Sequence, residues 1–255
     1  SKWLIASLEA TQFFGYIDLG VYSPHHPMQN LSIQEIESRA VAWKELGARG
    51  ILLDDYGYDF AVTRERQTLA VETLHRLGLS VIANSWDPRH ALDPMVCEAN
   101  PKGTGSPLKS GDIYLYESYL ISNGEWTHFK RWRAKANTLN RLLKAHPVGV
   151  VSTTTTLPGV TLTQQDLEFT YHCAWMEGHQ AFAWGEPSFA AADNLAPWRP
   201  RPEPIGGQGK IGKTKAAPGE AIQCTTPEGR IIADYVRKKI YLDPRQSWWQ
   251  RLWAR

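Results

Sequence analysis

Residues 47–60 read GARGILLDDYGYDF, and this stretch decides the fold class. Gly47 is typical of a helix end, and the apolar run GILLD at 50–54 is typical of a buried β-strand that finishes on an acid. The same succession of an amphipathic helix and a short apolar strand recurs along the chain. This alternation predicts an α/β fold, in which parallel strands are joined by helical crossovers.

Six such strands are predicted before residue 190. They are FFGYIDL at 13–19, GILLD at 50–54, VIAN at 81–84, DIYLYE at 112–117, VGVVS at 148–152 and AFAWG at 181–185. Most are continuous apolar runs, which is typical of strands that are covered on both faces.

Helix signals lie between these strands. Ser32 and Glu35 form a capping box for a helix that ends at Gly47, and Thr63 can cap a second helix that ends at Gly78. The residues of the second helix that are predicted to face inward are Leu69, Ala70, Leu74 and Leu77. Two later helices are predicted, over residues 128–144 and 163–177.

We predict that these elements form a TIM-type (β/α)8 barrel. A complete barrel needs eight strands, and the pattern shows six. Either the first two strands of the barrel are missing from this chain, or the sheet is open, or segments of the tail complete it. We predict a barrel domain over 1–196, a Pro/Gly-rich linker over 197–219 and a small β and Trp-rich element over 220–255. In this last element, strands are predicted over Ala221–Cys224 and Arg230–Leu242.

Composition narrows the classes of function. Charged residues make up 21% of the 255 residues, hydrophobic ones 42%, and the net charge is +2, which is typical of a globular protein. The basic residues are scattered, so no nucleic-acid partner is predicted. No apolar run approaches the roughly 20 residues of a membrane span. The three cysteines are widely spaced, and the sequence predicts no metal and no cofactor.

A phosphate-binding pattern occurs once. Residues 207–214, GQGKIGKT, match G-x-x-x-x-G-K-T letter for letter. Such a loop must follow a buried strand and open a helix, whereas here PRPEPI precedes the run and Pro218 follows within four residues. We interpret the run as a flexible Gly/Lys loop rather than a nucleotide site.

Polar residues at the carboxyl ends of the predicted strands form the candidate site, because active sites of parallel α/β barrels lie there. Asp54 and Glu117 are the predicted catalytic pair. Glycoside hydrolysis needs one carboxylic acid to protonate the leaving oxygen and one carboxylate to activate water or attack the anomeric carbon. Which of the two is the acid stays open. The predicted substrate-binding residues are Asp18, Asp55, Tyr56, Asn84, Trp86, Tyr119, Trp184 and Glu186.

Structural roles are the alternative for each of these residues. Carboxylates at strand ends also cap helices or pair with arginine. Asp55 is expected to point away if Asp54 points in, because adjacent strand residues face opposite sides. Asparagine is also a common turn residue, which gives Asn84 a structural alternative. Trp86 is as well suited to form the wall of a pocket as to stack on a sugar. Two carboxylates on separate strands, each with a tyrosine nearby, favour the catalytic interpretation.

Four runs in this order carry a family resemblance: GYIDLGVY, GARGILLDDYGYDF, LSVIANSWD and GDIYLYESY. They resemble the spherulin-4-like proteins and the endo-α-1,4-polygalactosaminidases of glycoside hydrolase family 114. The resemblance spans about residues 10–120 and implies a barrel with a catalytic Asp and Glu on nonadjacent strands, at Asp54 and Glu117. The chain departs from the family at residues 84–86, where NSW stands in place of Asn-Pro-Gly. The family's first two strands have no counterpart.

We therefore predict a glycoside hydrolase that cleaves a polysaccharide, with galactosamine-containing polymers as candidates. The alternative is a non-catalytic carbohydrate-binding or structural barrel in a larger extracellular or virion assembly. In that interpretation the Trp-rich end SWWQRLWAR at 247–255 docks to a protein partner. The compartment stays open, with an extracellular or virion-associated location favoured.

Overall fold

The computed structural model describes residues 11–23, 26–185, 199–203, 205–206 and 212–244. Its helices are α1 (Ile33–Glu45), α2 (Arg64–Arg76), α3 (Pro88–Leu92), α4 (Phe129–Leu142) and α5 (Gln164–Glu177). Its strands are β1 (Phe14–Asp18), β2 (Tyr22–Ser23), β3 (His26–Pro27), β4 (Gly50–Asp54), β5 (Ser80–Asn84), β6 (Ile113–Tyr116), β7 (Ile121–Ser122), β8 (Glu125–Trp126), β9 (Gly149–Thr153), β10 (Ala181–Ala183), β11 (Lys215–Ala217), β12 (Ala221–Thr225), β13 (Gly229–Asp234) and β14 (Lys239–Pro244).

The fold is mixed α/β, as predicted, around a parallel sheet of six strands. Their order is β1-β4-β5-β6-β9-β10, and these are the six strands predicted from the sequence, with ends shifted by at most two residues. Between β1 and β4 the register places Asp18 beside Asp54. Between β5 and β6 it places Asn84 beside Leu115.

Two compact units make up the chain. The first comprises the described residues up to Glu117 together with Arg133–Val151. The second comprises Ser118–Trp132 and the described residues from Ser152 onward. The division into barrel, linker and C-terminal element stays a prediction.

The helices begin and end where local chemistry places them. Ser32 accepts a hydrogen bond from the Glu35 backbone N–H, and the Glu35 carboxylate accepts one from the Ser32 N–H, so the predicted capping box is present. Thr63 caps α2 in the same way. After α1 the chain turns at Gly47 with a φ of 101°, a conformation that favours glycine.

One predicted helix face is corrected by the structure. Leu69 is 47% exposed, although it was expected to face inward with Ala70 and Leu74. Ala70, Leu74 and Gln67 lie along one stripe of α2 and are fully buried. Leu69 precedes Ala70 by one residue, which rotates it by about 100° out of that stripe.

The two faces of the sheet differ in the first unit. One face carries residues that are at most 1% exposed and contacts α1 and α2; they are Ile17, Ile51, Leu53, Val81 and Ala83. Because successive side chains of a strand alternate between faces, the intervening residues lie on the opposite face. That face is only partly buried and carries the polar ends of the strands.

In the second unit, β11 to β14 form an antiparallel sheet in chain order. The sequence predicted one strand over Arg230–Leu242. The structure has two strands there, β13 and β14, because the chain turns at residues 235–238, with Lys238 in the left-handed region at a φ of 52°. Tyr235, in this turn, packs edge-on against Trp126 with ring centroids 5.9 Å apart and donates a hydrogen bond to the Thr127 carbonyl.

Some sequence features fall outside the described residues. These are the Trp-rich end at 247–255 and residues 207–211 of the GQGKIGKT run. Within the part of the chain that is described, no helix is long and apolar enough to cross a membrane.

Candidate active site

The polar ends of four strands lie on the partly buried face of the first unit. Asp18 ends β1 and Asp54 ends β4, side by side in register. Asn84 ends β5 opposite Leu115 of β6, and Glu117 follows Leu115 by two residues. Two-residue periodicity therefore directs Glu117 to the same face as Asn84.

Asn84 connects the two predicted catalytic carboxylates. Its Nδ2 donates to Asp54 Oδ1 over 2.7 Å and to Glu117 Oε2 over 3.0 Å. Both oxygens are thus in hydrogen-bond contact with one nitrogen, which limits their separation to less than about 6 Å. Asp54 and Glu117 sit on β4 and after β6, with β5 between them. The structure brings together these three residues from strands that are far apart in the sequence.

Asp54 accepts hydrogen bonds at both carboxylate oxygens. Oδ1 accepts from Asn84 and from the backbone N–H of Asp55, over 2.9 Å for the latter. Oδ2 lies 2.6 Å from the hydroxyl of Tyr16. All these donors are uncharged. Together these contacts fix the orientation of the Asp54 carboxyl group.

Tyr16 is a site residue that sequence analysis did not select. Its hydroxyl also lies 2.7 Å from Asp18 Oδ1, so it stands between two carboxyl groups. Partial burial, followed by the contacts with Asp54 and Asp18, raises the pKa of Tyr16 well above its ordinary value of 10.0. The phenol therefore keeps its proton. The signal was present in the sequence, because Tyr16 precedes Asp18 by two residues and so shares its face.

Asp55 contributes a second kind of carboxyl group. Burial raises its pKa to about 7, with further contributions from the charges of Asp54, Asp18, Asp59 and Glu117. Its φ of 50° takes the chain out of the strand, so strand alternation no longer fixes the direction of its side chain. Near neutral pH, Asp55 exchanges a proton beside the two predicted catalytic acids.

Two predicted substrate contacts are corrected. Tyr56 and Tyr119 are both 0% exposed. Tyr56 lies in the core of the first unit, and in the second unit Tyr119 packs edge-on against Trp132 and His179, with ring centroids 6.0 and 5.0 Å away. Tyr56 follows Asp54 by two residues, and Tyr119 follows Glu117 by two residues. Both tyrosines lie past the end of their strand, where the chain turns their rings into the interior. Their side chains offer no surface to a substrate.

The remaining predicted residues lie in different places. Trp86 follows β5 in the first unit and is 49% exposed, with Lys135 Nζ 6.0 Å from its ring centroid. In the second unit, Trp184 lines a cavity of about 390 Å³ with Tyr171, and its Nε1 donates to the Leu167 carbonyl over 3.0 Å. Glu186 lies outside the described residues.

In the described ranges, no group of three or more His, Cys, Asp and Glu residues is arranged to hold a metal ion. The chemistry available from the described groups on the partly buried face is that of carboxyl groups, an amide and a phenol.

Comparison with known proteins gave structural likeness only. No protein-family model matches the chain, and no curated protein matches it. Solved structures with a similar backbone include the glycoside hydrolase domain of PelA from Pseudomonas aeruginosa, at 11% identity and a TM-score of 0.49, covering 74% of this chain and 85% of that one. A variant of the same domain, with the same coverage, gives 12% and 0.48.

A crystal structure of 2,3-dimethylmalate lyase, a member of the PEP mutase/isocitrate lyase superfamily, gives 12% identity and a TM-score of 0.38. That match covers 71% of this chain and 62% of the other. Identities this low, with TM-scores under 0.5, say nothing about what this chain does.

Proposed function

We propose that this protein is a glycoside hydrolase in which Asp54 and Glu117 cleave the glycosidic bond. The observation that carries the proposal is the Asn84 amide, which binds one oxygen of each acid on a partly exposed face of the sheet. Glycoside hydrolysis requires two carboxyl groups that lie close together at a surface that a sugar can reach.

The spacing supports retention of the anomeric configuration. Retaining enzymes hold their two carboxyl groups roughly 5–5.5 Å apart, and inverting ones hold them roughly 6.5–9.5 Å apart to leave room for a water. A single amide nitrogen that binds one oxygen of each acid favours the shorter spacing. In a retaining reaction one carboxylate attacks the anomeric carbon while the other carboxyl group protonates the leaving oxygen. Water then hydrolyses the glycosyl-enzyme ester, after giving a proton back to that second group.

The hydrogen bonds favour Asp54 as the nucleophile. Asp54 accepts from Asn84, from the Asp55 N–H and at the Tyr16 hydroxyl, whereas Asn84 is the donor recorded for Glu117. Several donors hold the Asp54 carboxyl group in one orientation, which suits attack on the anomeric carbon. Glu117 is then the group that acts as acid and base.

The substrate is proposed to be a polysaccharide that contains galactosamine. Support comes from the family resemblance of residues 10–120 and from the carboxyl groups of Asp18, Asp54 and Asp55 on or beside one face. Negative charge on this face attracts a cationic amino sugar. The exposed ring of Trp86 offers a flat apolar surface to a sugar ring.

Three wider proposals accompany this function. The six-stranded sheet is proposed to be part of a closed (β/α)8 barrel. Residues 197–219 are proposed to link it to a small C-terminal element whose tryptophans bind a protein partner. The location is proposed to be extracellular or virion-associated.

The first test measures new reducing ends from a panel of polysaccharides that includes galactosaminogalactan. Cleavage by the parent protein, lost in Asp54→Asn and Glu117→Gln, is the expected result. The control is Glu125→Gln, which changes an exposed acid in β8 of the second unit. Cleavage that survives both site substitutions would contradict the proposal. Binding without cleavage by the parent would favour the carbohydrate-binding module instead.

The second test separates the two roles. Azide fills the space left by a missing carboxylate and attacks the sugar from the side of the removed group. Asp54→Ala with azide is expected to give a glycosyl azide of inverted configuration, and Glu117→Ala with azide one of retained configuration. NMR of the products gives the configuration. If Asp54→Ala gave the retained azide and Glu117→Ala the inverted one, Glu117 would be the nucleophile and Asp54 the acid and base.

A further inference from the structure

The second unit contains a cavity of about 390 Å³ that the proposed reaction does not use. Its described lining comes from α5, from the chain before and along β10, and from residues 199 and 201, all within that unit. Small-molecule sites have volumes of roughly 300–1,000 Å³ and are lined mostly by aromatic and apolar groups. The aromatic side chains that line this cavity are Tyr171, Trp175, Phe182 and Trp184.

Three of the rings form a fixed cluster. Phe182 packs edge-on against Trp184 and against Tyr171, with ring centroids 5.8 and 6.3 Å apart. Trp184 Nε1 donates to the Leu167 carbonyl over 3.0 Å, which fixes the indole plane. All three rings are only partly buried, so apolar surface is left on the cavity side. Such surface suits the C–H groups of a sugar ring.

The charge of the lining is positive. Arg199 and Arg201 contribute guanidinium groups, and among the described lining residues none is an aspartate or a glutamate. Arg201 Nε donates to the Tyr171 hydroxyl over 2.8 Å, which ties the guanidinium to the aromatic cluster. This bond uses one of the five N–H donors of Arg201. The two Nη groups form the fork that binds a carboxylate through two parallel hydrogen bonds.

We propose that this cavity binds an acidic saccharide, with a sugar ring against the aromatic cluster and its carboxylate on Arg201. The exposed amide of Gln180 adds a neutral donor and acceptor for sugar hydroxyl groups. An acidic saccharide supplies the three complementary features, which are C–H faces, hydroxyl groups and an anion. The inference does not rest on the proposed function, because the carboxyl groups beside Asp54 suit a cationic sugar and these guanidinium groups suit an anionic one.

Isothermal titration calorimetry with digalacturonate tests the ligand class, and galactobiose is its neutral counterpart. Both are titrated into the full chain carrying Asp54→Asn, which removes the proposed cleavage from the measurement. Digalacturonate is expected to bind roughly 10-fold more tightly than galactobiose at low salt, because it adds a charge-assisted pair of hydrogen bonds. The difference should shrink as salt is added, since Arg201 is exposed.

Three results would overturn the proposal, whether or not the protein cleaves a polysaccharide. They are absence of digalacturonate binding, equal affinity for the two sugars, and benzoate binding as tight as that of digalacturonate. The last result would show a site for organic anions without recognition of a sugar.

Substitutions of Arg201 test the role of the fork. Arg201 is exposed, so its replacement leaves the packed interior unchanged. Arg201→Gln is expected to weaken digalacturonate binding roughly 10-fold and to leave galactobiose binding unchanged. Arg201→Lys, which keeps the charge without the fork, should lie between the two. The control is Arg237→Gln, which removes an exposed guanidinium bound to Asp234 in the same unit. Unchanged affinity in Arg201→Gln, or an equal loss in the control, contradicts the assignment.

The indole N–H of Trp184 reports where the ligand binds. In protein with ¹⁵N-labelled tryptophan, Trp184→Phe identifies its resonance by the signal that disappears. Digalacturonate is expected to shift this resonance in the parent, and to shift it less in Arg201→Gln at the same concentration. A Trp184 resonance that stays in place while calorimetry detects binding would put the ligand elsewhere and would contradict the proposal.

Discussion

At the scale of single residues, the raised pKa of Asp55 makes the folding stability depend on pH. Its folded-state pKa of about 7 lies above its ordinary value of 3.8. A raised acid pKa means that the folded protein holds this proton more tightly than the unfolded chain does. The stabilisation is complete below about pH 4 and is lost as the pH rises through 7. Above that range, an ionised Asp55 opposes folding.

We therefore expect Asp55→Asn to stabilise the protein at pH 8 by about 1–2 kcal/mol, after allowance for solvent screening of a half-buried group. At pH 4 the change should be near zero. Asparagine also tolerates the positive φ of this position. Urea unfolding at both pH values measures the effect, and Glu125→Gln should show no such difference between them. Equal stability of parent and variant at pH 8 would show that Asp55 ionises without cost.

The site was partly predictable at this scale. Asp54, Asn84 and Glu117 were selected because each ends an apolar run, and parallel strands present their ends at one edge. Tyr16 lies inside the apolar run FFGYIDL rather than at its end, so the strand-end criterion passes over it, although its two-residue spacing from Asp18 places it on the same face. Tyr56 was selected for its position after an acid. Past the strand end, alternation no longer gives the direction of a side chain, and only the tertiary fold does.

At the scale of elements, the start of α1 depends on its capping box. Ser32→Ala removes the hydroxyl that accepts from the Glu35 N–H and should cost about 1 kcal/mol. Ser38→Ala is the matched control, because Ser38 is exposed within the same helix, where alanine is the better helix former. Urea midpoints of the two variants should move in opposite directions. A Ser32→Ala midpoint equal to the parent's would mean that the cap does not contribute.

The start of β6 depends on a buried acid. Asp112 is 2% exposed and accepts from the Val81 N–H, from the Lys109 N–H and from His75 Nε2, at 2.9, 2.9 and 3.0 Å. Asp112→Ala leaves these donors without an acceptor in the interior and should cost about 3 kcal/mol. Asp243→Ala, which breaks the exposed pair with Arg230, should cost at most about 1 kcal/mol. Similar urea midpoints for the two variants would contradict this account.

Elements were predictable where the local signal is strong. The helix caps at Ser32 and Thr63 follow from side-chain chemistry within one turn of the chain. The turn between β13 and β14 could not be predicted in this way, because residues 235–238 read YVRK and contain no glycine, proline or asparagine. There Lys238 takes the left-handed conformation, with its Nζ 4.2 Å from the Trp126 ring centroid. Tertiary contacts of this kind have no counterpart in turn propensities.

At the scale of the whole molecule, the order of the strands is easier to predict from the sequence than the closure of the barrel. Alternating helices and strands predict a parallel sheet, and six strands are present in that order. Whether the two edge strands meet depends on strand tilt, on stagger and on how many strands contribute, and none of these is encoded in a single run of residues. Closure of the barrel therefore has to be measured.

Hydrogen exchange at β1 tests whether the barrel is closed, because the amides of that strand alternate in direction. The Leu19 N–H donates to the Asp54 carbonyl, so the amides of Ile17 and Leu19 point toward β4, and those of Tyr16 and Asp18 point to the other edge. In a closed barrel all four amides are protected. In an open sheet, Tyr16 and Asp18 exchange faster than Ile17 by roughly 100-fold or more, as unpaired edge amides do. The internal control is β5, which is paired on both sides and should show no alternation. We expect uniform protection in β1, and alternation there would establish an open sheet with the proposed catalytic carboxylates near its free edge.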